Sequence, residues 1–131
     1  GRLIATGRRL WMSDAMTGAG EFVWPDTSAA GVEGVGRGCV AGNEIFWPTR
    51  DAIFAIDLKT GSQTRPPIPL EPLGGGGANV TPLGDYLVVT TATKLSVLGP
   101  DSPSASPVPP EEEAQPLPGI PTTARIDRGL R

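Results

Sequence analysis

The sequence predicts an all-β chain assembled from one repeated unit of short strands, and three observations predict it. Short β-branched and aromatic runs alternate with Gly, Asn and Asp turn residues from residue 1 to residue 99. The same order of runs and turns recurs at offsets of 43 and 42 residues. The 18 glycines and 15 prolines among 131 residues exceed ordinary usage. One or the other interrupts every window long enough for three helical turns, at about 1 kcal/mol or more each.

In order along the chain, residues 2–6 (RLIAT) form a first apolar run and Gly7-Arg8 a turn. Residues 9–13 (RLWMS) follow and lead into Asp14-Ala-Met-Thr-Gly18, after which residues 21–24 extend again. The central copy is the most complete: residues 39–41 (CVA), a Gly42-Asn43 turn, residues 44–48 (EIFWP), a turn at 49–51, residues 52–56 (AIFAI), and Asp57-Leu-Lys-Thr-Gly61. Residues 63–68 then supply a further strand. Pro66, Pro67 and Pro69 cannot donate to a ladder, so it must lie at a sheet edge. The 43-residue shift sets Leu3 on Phe46, Ile4 on Trp47, Leu10 on Ile53 and Trp11 on Phe54. In the last copy residues 79–83, 86–90 (YLVVT) and 94–98 (KLSVL) are strands, and Gly99-Pro100 replaces the closing turn. YLVVT is apolar throughout, which predicts burial on both faces.

A period of ~40–50 residues with several short strands per copy marks a β-propeller blade. The expected fold is therefore a partial β-propeller of three successive blades, at 1–26, 38–70 and 78–99, the central one complete and the flanking two incomplete. From residue 100 the composition changes. Residues 100–121 hold eight prolines and almost no large apolar side chain, so residues 101–131 read as a disordered, acidic, Pro-rich linker and short tail. Alone, three such copies should leave a blade face carrying Leu3, Ile4, Leu10 and Trp11 uncovered, so that the chain self-associates or unfolds readily.

Charge and chemistry exclude several functions. Residues 1–100 carry nine acidic and eight basic side chains, and residues 101–131 five and three, so the sequence order displays no basic patch for nucleic acid or an anionic membrane. No segment approaches the roughly 20 apolar residues that span a bilayer. Absence of histidine removes His-based acid/base catalysis and His metal sites, and Asp and Glu never take the alternating spacing of a calcium loop. Gly74–Gly77 lacks the Lys-Ser/Thr ending of a phosphate loop, and Gly31, Gly34, Gly36 and Gly38 miss the dinucleotide spacing; both read as loops. Cys39 is a lone thiol in an apolar strand, read as buried and inert, and forms no intrachain disulfide. No catalytic, cofactor or metal residue is assigned. Arg37, Trp47 and Arg50, near the turns of the central copy, are the candidate partner-contact residues, since loops at the ends of repeated sheets commonly bind partners.

The pattern Ala-x-Asp-x-x-Thr-Gly, met in full by Ala55, Asp57, Thr60 and Gly61 and in part by Asp14, Thr17 and Gly18, resembles the repeat of pyrroloquinoline-quinone-type β-propellers. The resemblance covers residues 1–100. It implies that Asp and Thr-Gly make the turn between a blade's third and fourth strands, and that a Trp on the fourth strand docks between blades. Trp24 follows Gly18 two residues later than that spacing, and Arg65 stands in the corresponding place after Gly61. Some members of the family are quinone dehydrogenases with calcium and a vicinal disulfide, whereas others are non-catalytic scaffolds. With no Cys-Cys pair here, the expectation is a non-catalytic interaction module without cofactor, a fragment of a larger propeller-repeat protein. The chain starts inside a strand pattern without Met, so it reads as a piece of a longer protein whose targeting segment is absent, and the resemblance implies a bacterial, exported protein, periplasmic or extracellular. Its expected partners are proteins and the rest of its own propeller chain. The alternative is a fragment of a quinone-dependent dehydrogenase whose cofactor site, with quinone and calcium, lies upstream.

Overall fold

The structure, a computed structural model, describes residues 1–25 and 31–100. Among these residues eleven strands form three sheets, none closed into a barrel, and there is no α-helix. The first sheet is the antiparallel run β1 (Arg2–Thr6), β2 (Leu10–Asp14), β3 (Gly20–Trp24). A two-residue strand, β4 (Gly36–Arg37), comes next in the chain. The second sheet follows as β5 (Cys39–Ala41), β6 (Glu44–Pro48), β7 (Ala52–Asp57) and β8 (Ile68–Pro69). A 3-10 turn at Glu71–Leu73 leads to β9 (Ala78–Leu83), β10 (Tyr86–Thr90) and β11 (Leu95–Leu98). These three make the third sheet, with β4 added parallel to β9.

Alternation along the strands decides what each face covers, because successive side chains point to opposite sides. In β6, Ile45 and Trp47 face one way, paired with Ile56 and Phe54 of β7. Together with Leu10, Ile4, Phe22 and Trp24 they form the layer between the first and second sheets. Phe46 faces the other way, opposite Ala55, and joins Ile53, Leu70, Leu73, Val80, Leu87, Val89 and Leu98 between the second and third sheets. The middle sheet is therefore buried on both faces. At roughly 1.5–3 kcal/mol for each large side chain taken out of water, these two layers are what holds the sheets together.

The strand expectations hold within a residue or two except at 63–68, where the prolines cut the strand back to β8, at the sheet edge that their missing N–H groups require. Only Ile68–Pro69 pairs with β7, at the edge of the sheet, with an isolated bridge from Gln63 to Ile56.

Two readings of faces are corrected. Thr6 pairs with Leu10 across three turn residues, whereas Pro48 pairs with Ile53 across four. The shorter turn puts Ala5, not Ile4, in the place of Trp47, and a one-residue slip exchanges every side chain between faces. Ile4 and Leu10 therefore pack toward the second sheet, while Leu3 and Trp11 stand on the free side, 62% and 53% exposed. YLVVT is also not buried on both faces. Leu87 and Val89 point inward, but Tyr86 is 51% exposed and Val88 half-buried, because no further sheet covers that side among the described residues. The Pro-rich linker and tail expected at 101–131, and the end of the first copy at residue 26, lie outside the described residues.

Candidate functional site

The two Asp-x-x-Thr-Gly turns are built alike. Asp14 Oδ1 accepts the N–H of Met16 at 2.9 Å and of Thr17 at 2.8 Å. Asp57 Oδ1 accepts those of Lys59 and Thr60, both at 2.8 Å. The Thr17 and Thr60 hydroxyls then accept the N–H of Ala19 and Ser62, each at 3.2 Å. Gly18 and Gly61 close the turns at φ of 71° and 70°, where a Cβ would be strained. Bonds to the charged form hold both carboxyls below the ordinary value of 3.8, first from the Thr17 N–H for Asp14 and first from the Thr60 N–H for Asp57. The second turn also joins two sheets: Phe22 of β3 lies against Gly61, and the Arg2 guanidinium donates to Leu58 O at 3.0 Å. Ala55 is buried opposite Phe46, where a larger side chain would enter the layer facing the third sheet. All seven motif residues thus act as architecture.

At the opposite end of the sheets, the segment 34–37 threads between turns. Gly34 N–H donates to Arg8 O and Val35 N–H to Pro48 O, both at 2.9 Å; Ala78 N–H donates to Val35 O at 3.1 Å, and Gly77 N–H to Arg50 O at 3.2 Å. The passage leaves no room for side chains. A Cβ on Gly34 would lie 1.9 Å from Gly7 O, and one on Gly36 would lie 1.8 Å from Ala78 O. These glycines were read as loop residues; their work is close backbone approach. The segment brings Arg37 and Arg50 to one end of the molecule, where both are exposed. Trp47 is not available there. It is 1% exposed beneath the turns, its indole N–H donating to Gly7 O at 3.0 Å and its ring 5.3 Å from that of Trp24. A partner cannot reach it, so its role is packing between sheets.

Charge divides between the two ends. The end with Arg37 and Arg50 also carries Arg8, Arg9 and Lys94, against Glu33, Asp51 and Glu71. The end with the Asp-x-x-Thr-Gly turns carries Asp14, Glu21, Glu44, Asp57 and Asp85, against Arg2, Lys59 and Arg65. Among the described residues five bases against three acids face three against five, a formal +2 opposite −2. Ion pairs among the described residues are Arg2–Glu21 at 2.9 Å, Arg65–Glu44 at 2.5 Å and Arg8–Glu33. Arg37 and Arg50 take part in none of them. The basic end is hidden in the sequence because its residues come from three separate turns and strand β4; basic residues in the β1–β2, β6–β7 and β10–β11 turns are the one signal that could have shown it.

Between the second and third sheets a cleft of about 410 Å³ is lined by Glu44, Phe46, Arg65, Tyr86 and Leu98. Arg65 spans it, 5.9 Å above the Phe46 ring and bidentate to Glu44, so a cation–π contact and an ion pair occupy the place after Gly61. Cys39 is half-buried nearby, and desolvation pushes its thiol up to about 11, away from the reactive thiolate. Among the described residues no group of three or more His, Cys, Asp or Glu is placed to hold a metal ion, and no helix is long and apolar enough to cross a membrane. No family model matches the chain, and neither a curated protein nor a solved structure matches it.

Proposed function

We propose that the three sheets are successive blades of a partial β-propeller of the pyrroloquinoline-quinone type, and that the chain is a non-catalytic module that binds an acidic surface of a protein partner at its Arg37–Arg50 end. The blade reading is supported by equivalence of pairing. Thr90 lies opposite Leu95 as Pro48 lies opposite Ile53, and Leu87 opposite Leu98 as Ile45 lies opposite Ile56, at a constant offset of 42. The matched Asp-x-x-Thr-Gly turns add a second equivalence, between the first and middle sheets. Repeated units that stack face to face, each burying its neighbour, are the architecture of such arrays.

The observation that carries the binding reading is the placing of exposed Arg37 and Arg50, in no ion pair among the described residues, at one end. A cluster of exposed guanidinium groups on a rigid frame steers and orients a negatively charged partner, and arginine binds carboxylates in bidentate fashion. Turns held by the inter-sheet backbone bonds of segment 34–37 make that frame.

Titration of the chain with a polyglutamate peptide at low salt tests this by calorimetry. Saturable binding is expected, lost in the double variant Arg37→Glu/Arg50→Glu and kept in Lys59→Glu at the other end. Binding that survives the double variant overturns the assignment of the surface. Saturable uptake of pyrroloquinoline quinone with Ca²⁺ by the longer parent chain, accompanied by dye-linked alcohol oxidation, would instead favour the dehydrogenase class.

A further inference from the structure

We infer that two copies of this chain associate head to tail, the free face of the first sheet in one copy covering the free face of the third sheet in the other. The inference rests on the reading of the sheets as successive blades and adds a partner at a different surface.

Among the described residues two apolar faces are left without cover, at the two ends of the stack. On the first sheet Leu3, Ala5, Trp11 and Val23 share the side away from the second sheet, since Ala5 pairs with Trp11 and Trp11 with Val23. A broad hollow of about 980 Å³ lies over Ala5, Trp11 and Val23. On the third sheet Leu83, Tyr86, Val88, Leu95 and Val97 share the outward side, with Leu83 opposite Tyr86 and Val88 opposite Val97. Leu95 is 56% exposed. Exposed apolar side chains gathered on a sheet face mark an interaction surface.

What fits these faces follows from the interfaces already inside the chain. Register makes Ala5 and Trp11 the counterparts of Trp47 and Phe54, the side of the middle sheet that receives a preceding sheet. Likewise Val88 and Val97 are the counterparts of Phe46 and Ala55, the side that receives a following sheet. The two free faces are therefore opposite halves of one interface that the chain builds twice internally. A second copy presents the missing half to each. Such a contact is heterologous, and two of them close a ring of six sheets, within the roughly four to eight blades of closed propellers. A face-to-same-face dimer would set equivalent halves against each other and has no counterpart inside the chain.

Sedimentation of the 131-residue chain across a micromolar concentration range tests the inference. Wild type is expected to dimerise. Trp11→Glu blocks one face and Leu95→Glu the other, and each alone should weaken association at least about tenfold, as expected for a charge placed at the centre of an apolar contact. Mixed in equal amounts, the two variants each retain one intact, complementary face, so a 1:1 complex should return. A monomeric wild type, a Leu95→Glu chain that still self-associates, or a mixture that fails to recover overturns the inference. A wild type that stays monomeric yet binds polyglutamate sinks this contact alone, and a wild type that dimerises without binding polyglutamate sinks only the proposed function.

Discussion

Individual side chains in this protein are tuned by whether their polar atoms find partners. Asp57 finds three for its carboxylate: two turn N–H groups on Oδ1 and the Asn43 amide on Oδ2 at 2.8 Å. Its carboxyl is depressed in the fold, so the stabilisation it supplies is fully present above the ordinary value of 3.8 and is lost as pH falls through the lower folded value. Asp14 has the same sign. Replacing both by Asn keeps an acceptor but removes the titration. The double variant should therefore show a flatter loss of melting temperature in acid than wild type, measured by thermal melts from neutral pH downward. Ser96 is the opposite case. Its Oγ is buried in the layer facing the second sheet with no hydrogen-bond partner among the described residues. An unpaired hydroxyl carries its desolvation cost without return, so Ser96→Ala should raise stability by about 1 kcal/mol, read as a higher denaturant midpoint. Trp47→Phe removes the donor to Gly7 O and part of the ring, and should cost about 2–3 kcal/mol on the same scale.

At the scale of elements, segment 34–37 decides how the sheets are registered against one another. Gly34→Ala would drive a Cβ to 1.9 Å from Gly7 O and 2.7 Å from the Trp47 indole nitrogen, so neither backbone nor core can yield cheaply. It should cost about 4 kcal/mol or more, at the extreme of single substitutions. Gly7→Ala is the control: no atom lies within 4 Å of its Cβ, so stability should stay level or rise by about 0.4–1 kcal/mol. Equal destabilisation by both, measured by urea unfolding, would remove the special role given to Gly34. This segment also shows where reading the sequence stops. Strands bounded by Gly42-Asn43, Asp57–Gly61 or Gly84-Asp85 were legible, since those turns impose their own geometry within a few residues. Strand β4 has only Gly36 and Arg37, too short for any periodicity, and its partner β9 lies 42 residues away. Ile4 and Leu10 do not share the uncovered face with Leu3 and Trp11 as expected, because successive strand residues point to opposite sides. Of the candidate contacts, Arg37 and Arg50 lie on the surface, but that they share an end with Arg8 and Arg9 depends on sheet stacking, which local pattern does not encode.

For the molecule as a whole, stability should be graded outward from the middle sheet. That sheet is shared by both apolar layers, so opening it exposes Ile45, Trp47 and Ile56 on one side and Phe46, Ile53 and Ala55 on the other. Opening the first or third sheet forfeits only one layer, and β1 and β11 each pair with a single strand. Native-state amide exchange reports such local openings, from near-zero free energy at edges up to the global value in a core. The N–H groups of Ile45, Phe46 and Trp47 should therefore exchange slowest, and those of β1 and β11 much faster. Ionic strength should leave this order unchanged, because the layers are apolar and the ion pairs that cross between strands are exposed. Head-to-tail association covers the outer faces of the first and third sheets, so raising the protein concentration should slow exchange selectively in those two sheets. Uniform protection across all three at low concentration would mean that they open as one unit, and that stacking on the middle sheet is not what sets the order.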